Sequence, residues 1–206
     1  MNFDNLDAIA RKLMLNRRSH NARETGHGYY HCSRVMRGVI ELRCAQTDDA
    51  SHDELLRAAA LLHDCGKAIE PHNVSSAALV GEFLKGECTP DELKEIQRLI
   101  YLHDLRGTQV DLWAALMQDA DLLDHYGCME IWRKFLYAGY HDKPASESMN
   151  FRLDKYPAQV DSDRALLNLE VSRRVLDEKV QFTYEFIARM KVELTGGYVL
   201  DMSQTR

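Results

Sequence analysis

The sequence predicts an all-α protein. Three observations carry this: apolar residues recur at three- and four-residue spacing, helix start signals precede many of those stretches, and strand signals are sparse, with little period-two alternation and no Asn-Gly hairpin. The chain has 206 residues, a length that suits one ordinary domain, and no internal repeat, low-complexity tract or linker divides it. Hydrophobic residues make up 45% and charged residues 28%, enough to bury a core and to keep its surface wetted.

The first helix is predicted over Phe3 to His20, with Leu6, Ile9 and Leu13 on one face. A turn containing glycine, Thr25 to Tyr30, leads to a second helix that begins near His31 and carries Val35, Val39 and Leu42. Ser51-His52-Asp53-Glu54 has the form of a capping box, in which the Ser hydroxyl and the Glu carboxylate satisfy free amides at a helix start. It announces a helix over Asp53 to His63, which Gly66 is placed to close in the left-handed conformation. Asn73 or Ser75 is the candidate cap of a helix running to Lys85. Thr89-Pro90-Asp91-Glu92 joins a cap, a first-turn proline and acids that favour the positive end of a helix reaching His103. Further helices are predicted over Asp111 to His125, Met129 to Tyr140 and, as one long terminal element, Asp163 to Leu194. The segment His141 to Val160 holds Pro144 and Pro157 with little periodicity and reads as a loop.

The formal charge is -6 and Lys and Arg are scattered, which disfavours a long nucleic acid, whose binding draws on many clustered phosphate contacts. A short phosphorylated metabolite is compatible with the same surface, because one Arg, one Lys and a metal suffice for a few phosphates. The five cysteines, Cys32, Cys44, Cys65, Cys88 and Cys128, form no Cys-x-x-Cys pair and read as reduced thiols. Met1 to Ala10 carries Asp4 and Asp7, and no apolar run reaches the ~18–20 residues that span a bilayer, so the expected address is the cytoplasm, with no membrane partner.

Ionisable residues in apolar surroundings mark the candidate chemistry. In Leu61-Leu62-His63-Asp64-Cys65-Gly66-Lys67, a helix of Leu and Ala ends on adjacent ionisable groups, and His63 follows Leu56 and Ala59 or Ala60 at helical spacing. A neutral imidazole and a carboxylate meeting there suit a divalent cation; the alternative is a core histidine bonded to the neighbouring Asp. His103 repeats the pattern after Leu93, Ile96 and Ile100. In Met117-Gln118-Asp119-Ala120-Asp121-Leu122-Leu123-Asp124, acids interrupt an apolar helix, and periodicity does not decide between Asp119, on a stripe with Leu112, Leu116 and Leu123, and Asp121, on one with Trp113 and Met117. His31 opens its helix after Gly26-His27-Gly28-Tyr29-Tyr30, with Arg34 one turn on.

The order His31, His63-Asp64 and a later Asp in Ala-Asp-Leu-Leu-Asp resembles the HD-domain superfamily of metal-dependent phosphohydrolases, whose pattern is a lone His, a His-Asp doublet and a distant Asp. The segment Asp119 to Asp124 is similar to the Asp-Ala-Asp-x-Leu-Asp stretch of small bacterial stand-alone HD hydrolases. The resemblance runs from about Gly26 to Gly127, and Ser172 to Glu193 is similar in character to the subgroup's terminal helix.

The resemblance implies a single compact HD-domain bundle over the whole chain, a motif core at about 26–127, and helices at 129–194 packing on it. It assigns His31, His63, Asp64 and Asp121 as metal ligands, Asp121 being preferred to Asp119. One divalent ion is expected, from Mn, Fe, Co, Ni, Zn or Mg, and His72 and His103 allow a second. The implied reaction is hydrolysis of a small phosphorylated substrate, above all a nucleotide, by a metal-activated water. Asp64 would also orient that water, Lys67 and His103 would take part in catalysis, and His27, Arg34, Lys67 and His72 would contact substrate. Two alternatives accompany it: a di-iron HD-fold oxygenase, which would need both His72 and His103, and a non-hydrolytic nucleotide-binding or sensory module. A monomer or homodimer is expected.

Overall fold

The computed structural model describes residues 1–15, 28–147 and 155–198, and the regular elements among them are all α-helices. They are α1 (Phe3–Met14), α2 (Tyr29–Gln46), α3 (Asp53–Leu62), α4 (His72–Phe83), α5 (Pro90–Leu102), α6 (Leu112–Asp124), α7 (Cys128–Tyr140), α8 (Tyr156–Leu166) and α9 (Glu170–Leu194). The predicted all-α class is what the structure shows. Contacts divide the chain into two units, residues 1–124 with 166–172, and residues 125–165 with 173–206. Among the described residues no helix is long and apolar enough to cross a membrane.

The first unit is organised around α3, which packs against α1, α2, α5 and α6. Its run Ala58-Ala59-Ala60-Leu61-Leu62 is buried throughout. Small alanines let neighbouring helices approach, while Leu56, Leu61 and Leu62 fill the space between them; removing one such buried leucine to Ala costs about 2–5 kcal/mol. The helix therefore ends inside the core, and that end carries His63 and Asp64. In addition α2 packs on α6, and α4 pairs with α5.

Several starts follow the expected capping chemistry. Thr89 Oγ1 accepts from the Glu92 amide at 3.3 Å and the Glu92 carboxylate accepts from the Thr89 amide at 2.7 Å, so the capping box of α5 is formed. Asp111 Oδ1 accepts from the Ala114 amide at 3.0 Å at the start of α6.

Other expectations fail for identifiable reasons. The box predicted at Ser51 does not form: α3 starts after His52 with no side-chain cap. Asp49 Oδ1 takes the Ser51 amide at 2.9 Å, and the Glu54 carboxylate is occupied by the N-terminal amine at 3.2 Å. Gly66 does not adopt the left-handed conformation found at Gly86, Gly107 and Gly127. The buried stripe of α1 is Leu6, Ala10 and Met14, a strict four-residue repeat, with Ile9 and Leu13 half-buried beside it; residues 16–20 of the predicted helix lie outside the described residues. Helix α4 begins at His72, with Pro71 ahead of it, so Asn73 is inside the helix, where its Nδ2 donates to Tyr101 O at 2.9 Å.

The predicted long terminal helix is broken into α8 and α9 at residues 167–169, where Asp119 accepts from the Asn168 and Leu169 amides at 2.9 and 3.0 Å. Part of the predicted loop, residues 156–160, is the beginning of α8, while residues 148–154 are outside the described set. In the second unit the Tyr126 hydroxyl donates to Asp163 at 2.6 Å, and the Tyr156 ring contacts the rings of Tyr126 and Tyr184.

Candidate metal centre

Helix α3 delivers His63 at its C-cap and Asp64 directly after, both essentially without solvent exposure. The following turn is pinned to α4: the Gly66 amide donates to Ser76 Oγ at 2.8 Å, and a Cβ at Gly66 would stand 2.5 Å from the Ser76 backbone nitrogen. Gly66 is thus required by close approach, not by backbone handedness. His31 lies in the first turn of α2, and Asp121 in α6.

Because α6 is buried on every side from Ala114 to Asp124, it has no polar face, and the stripes seen in the sequence could not separate its acids. The structure separates them. Asp121 faces His31 and His63, whereas Asp119 is spent on the Asn168 and Leu169 amides and on Asn168 Nδ2, at 2.9–3.0 Å.

His31 Nε2 lies 3.0 Å from Asp121 Oδ1 and 3.3 Å from His63 Nε2. His63 Nε2 is 3.5 Å from the same Asp121 oxygen and 3.8 Å from Asp64 Oδ2. On their far sides the rings are anchored: His63 Nδ1 is 2.8 Å from Ala60 O, His103 Nδ1 is 2.5 Å from Ile100 O, and His31 Nδ1 is 2.7 Å from Asp124 Oδ2. A carbonyl oxygen only accepts, so His63 and His103 carry a proton on Nδ1 and turn toward the centre through Nε2. Outer hydrogen bonds of this kind orient and strengthen imidazole ligands. Burial alone would push the His31 imidazole down, yet its hydrogen bonds to Asp121 and Asp124, which accept, raise it to about 9. His31 and His63 with Asp64, and His63 and His103 with Asp121, form buried groups whose ligand atoms lie within 4.8 Å of one another, and imidazole with carboxylate fits a divalent transition metal by donor type.

A second group shares Asp64, whose Oδ1 is 3.8 Å from His72 Nε2 and 3.9 Å from His103 Nε2. Lys67 Nζ lies 3.5 Å from the same oxygen and 3.0 Å from His72 Nε2. An ammonium only donates, so His72 Nε2 accepts from Lys67 and its lone pair is in use. Burial and the neighbouring His63 push His103 down to about 3, which keeps it neutral, with Nε2 an acceptor. That arrangement suits a metal ligand or hydrogen-bond acceptor better than a proton donor. Arg34 is engaged with Asp124 through two bonds, Nε to Oδ1 at 2.7 Å and Nη2 to Oδ2 at 2.8 Å. His27 is outside the described residues. The sequence reading missed Arg106, whose Nη2 donates to Asp121 Oδ2; it sits between helices where no periodicity points to it.

Fold and site together define an all-helical protein with buried His/Asp clusters able to hold a metal. Residues 28–126 match the HD domain, so the chain carries an HD domain over that segment. The crystal structure of Bacillus subtilis YpgQ in complex with ADP matches with a TM-score of 0.67 at 18% identity, covering 94% of this chain and 98% of that one. An HD-superfamily hydrolase from Bacillus thuringiensis matches with a TM-score of 0.68 at 21% identity, over 93% of this chain and 96% of that one. A predicted HD superfamily hydrolase from an uncultured Thermotogales bacterium gives 0.65 at 22%, over 93% and 92%. At these identities the likeness is one of fold. No curated protein matches the chain.

Proposed function

We propose that this protein is a metal-dependent hydrolase of a small phosphorylated metabolite, with a nucleotide as the expected substrate. The observation that carries the reading is the convergence of His31 Nε2, His63 Nε2 and Asp121 Oδ1 at 3.0–3.5 Å, with both imidazoles anchored behind through Nδ1. His31, His63, Asp64 and Asp121 would hold one divalent ion. Such an ion supplies a bound water of lowered pKa and an electrophilic pull on a phosphoryl oxygen.

Charge balance supports an anionic substrate. Asp64, Asp121 and Asp124 are matched by Lys67, Arg106 and Arg34 respectively. With a divalent ion bound and its imidazole ligands neutral, the charge of the ion would be left uncompensated by these acids, which would draw a phosphate. Lys67, partly exposed at the edge of the cluster, is the substrate contact the geometry favours; Arg34, held on Asp124, is better placed to steady the support of His31. The structure of YpgQ with ADP supports a nucleotide as the ligand class.

The test is phosphate release from nucleoside mono-, di- and triphosphates, cyclic nucleotides and phosphomonoesters by metal-stripped protein given Mn, Mg, Co, Ni or Fe. Metal-dependent release by the wild type and none by Asp64→Ala is expected. Equal release by both contradicts the assignment.

A second reading, a two-metal centre with oxygenase chemistry, is favoured by the closeness of His72 and His103 to Asp64. The Lys67 bond to His72 weighs against it. Iron-dependent oxygen consumption that requires both histidines would decide for this second reading.

A further inference from the structure

We propose that Arg106 is a positioning residue of the metal centre: by holding one oxygen of Asp121 it restricts that carboxylate to single-oxygen coordination and keeps a position free for water or substrate. This rests on the metal-centre reading above. The two oxygens of Asp121 face different partners, Oδ1 the imidazoles of His31 and His63, Oδ2 the guanidinium of Arg106. A carboxylate free to turn can present both oxygens to one ion. That would fill a position which catalytic sites, unlike structural ones, leave open. A bond from a cation to the outer oxygen opposes the turn and makes that oxygen a poorer ligand.

The backbone around Arg106 is built to hold it there. Gln118 Nε2, from α6, donates to Leu102 O at 2.8 Å and to Leu105 O at 3.3 Å, tying the segment to the helix that carries Asp121. Thr108 Oγ1 donates to Leu105 O at 2.6 Å, and Gly107 turns the chain with φ of 82°. The other acid near the guanidinium, Asp104, stands 4.0 Å away and is largely exposed, so Asp121 is the principal partner. Each of the other two acids at the site is also met by a cation, but differently: Arg34 grips both oxygens of Asp124, which stands behind His31, and Lys67 approaches Asp64 from the edge.

The experiment replaces the metal with Co(II) and records the visible absorption of wild type, Arg106→Gln and Arg106→Lys, with kcat and KM measured in parallel. Co(II) absorbs more strongly at lower coordination number. The wild type is expected to show the intense bands of a centre with fewer than six ligands. Arg106→Gln should show weaker bands, a change of about 10–100-fold in Co(II) affinity or in kcat, and little change in KM. Arg106→Lys, which keeps a cation for one oxygen, should recover most of the band intensity.

An unchanged Arg106→Gln spectrum with a raised KM would overturn the inference and make Arg106 a substrate contact. Unchanged spectrum and kinetics would reduce it to an ion pair without effect. If Arg106→Gln does not fold, Arg106→Met is read against the wild type by the same spectra and kinetics, and an unchanged spectrum there overturns the inference in the same way. A wild type that binds no Co(II) at all overturns the metal-centre reading itself, and this inference with it.

Discussion

His31 Nδ1 lies 2.7 Å from Asp124 Oδ2, while Arg34 grips the same carboxylate with two bonds at 2.7 and 2.8 Å. Asp124 thus supports His31, a proposed metal ligand, from behind its ring. Asp124→Ala is expected to weaken Mn binding about 10–100-fold, measured by competition with a chelator. Unchanged affinity would show that the His31 ring needs no such support.

Asp119 and Asp121, two residues apart, do different work. Asp119 accepts the amides that start α9, so Asp119→Asn should lower stability by at least about 1.5–3 kcal/mol, the range for one hydrogen bond to a charged group, while the folded protein still binds metal. Asp121→Asn should fold and fail to bind metal. Urea unfolding together with metal analysis separates the two outcomes, and the reverse pattern would exchange their roles.

Gly66→Ala would place a methyl group 2.5 Å from the Ser76 backbone nitrogen. A destabilisation of about 1–3 kcal/mol is expected, as for other overpacked sites. Displacement of the Asp64–Lys67 turn should reduce phosphate release as well. Wild-type stability and turnover in this variant would mean that the turn moves freely against α4.

Metal uptake should release protons. Burial opposes the charged form of His31, but Asp121 and Asp124 raise it to about 9, so in neutral solution the metal-free imidazole holds a second proton that coordination must expel. Protons compete with the metal at every pH below that value, and the apparent affinity should rise as pH increases from 6 toward 9. Titration calorimetry in buffers of different ionisation enthalpy counts the protons. A pH-independent affinity with none released contradicts the protonated metal-free site.

The inward histidines were legible in the sequence because helical spacing and burial coincide: His63 and His103 each follow apolar residues on a helix that ends in the core. Asp121 was not separable from Asp119 by pattern, since α6 has no exposed face to give the pattern a direction. The resemblance to HD proteins was needed there, and the structure places Asp121 beside the histidines. Arg106 escaped because its role depends on a contact across 15 positions from a segment without periodicity. The break before α9 escaped for a similar reason, its cause being a carboxylate 49 residues earlier. At Ser51 the local signal was present, but Asp49 and the N-terminus competed for the same groups.

The most direct test of the metal centre is the anomalous scattering of crystals grown with Mn. One peak within bonding distance of His31, His63, Asp64 and Asp121 is the expected result. No peak, or a single peak held by Asp64, His72 and His103 without His31 and Asp121, would contradict it.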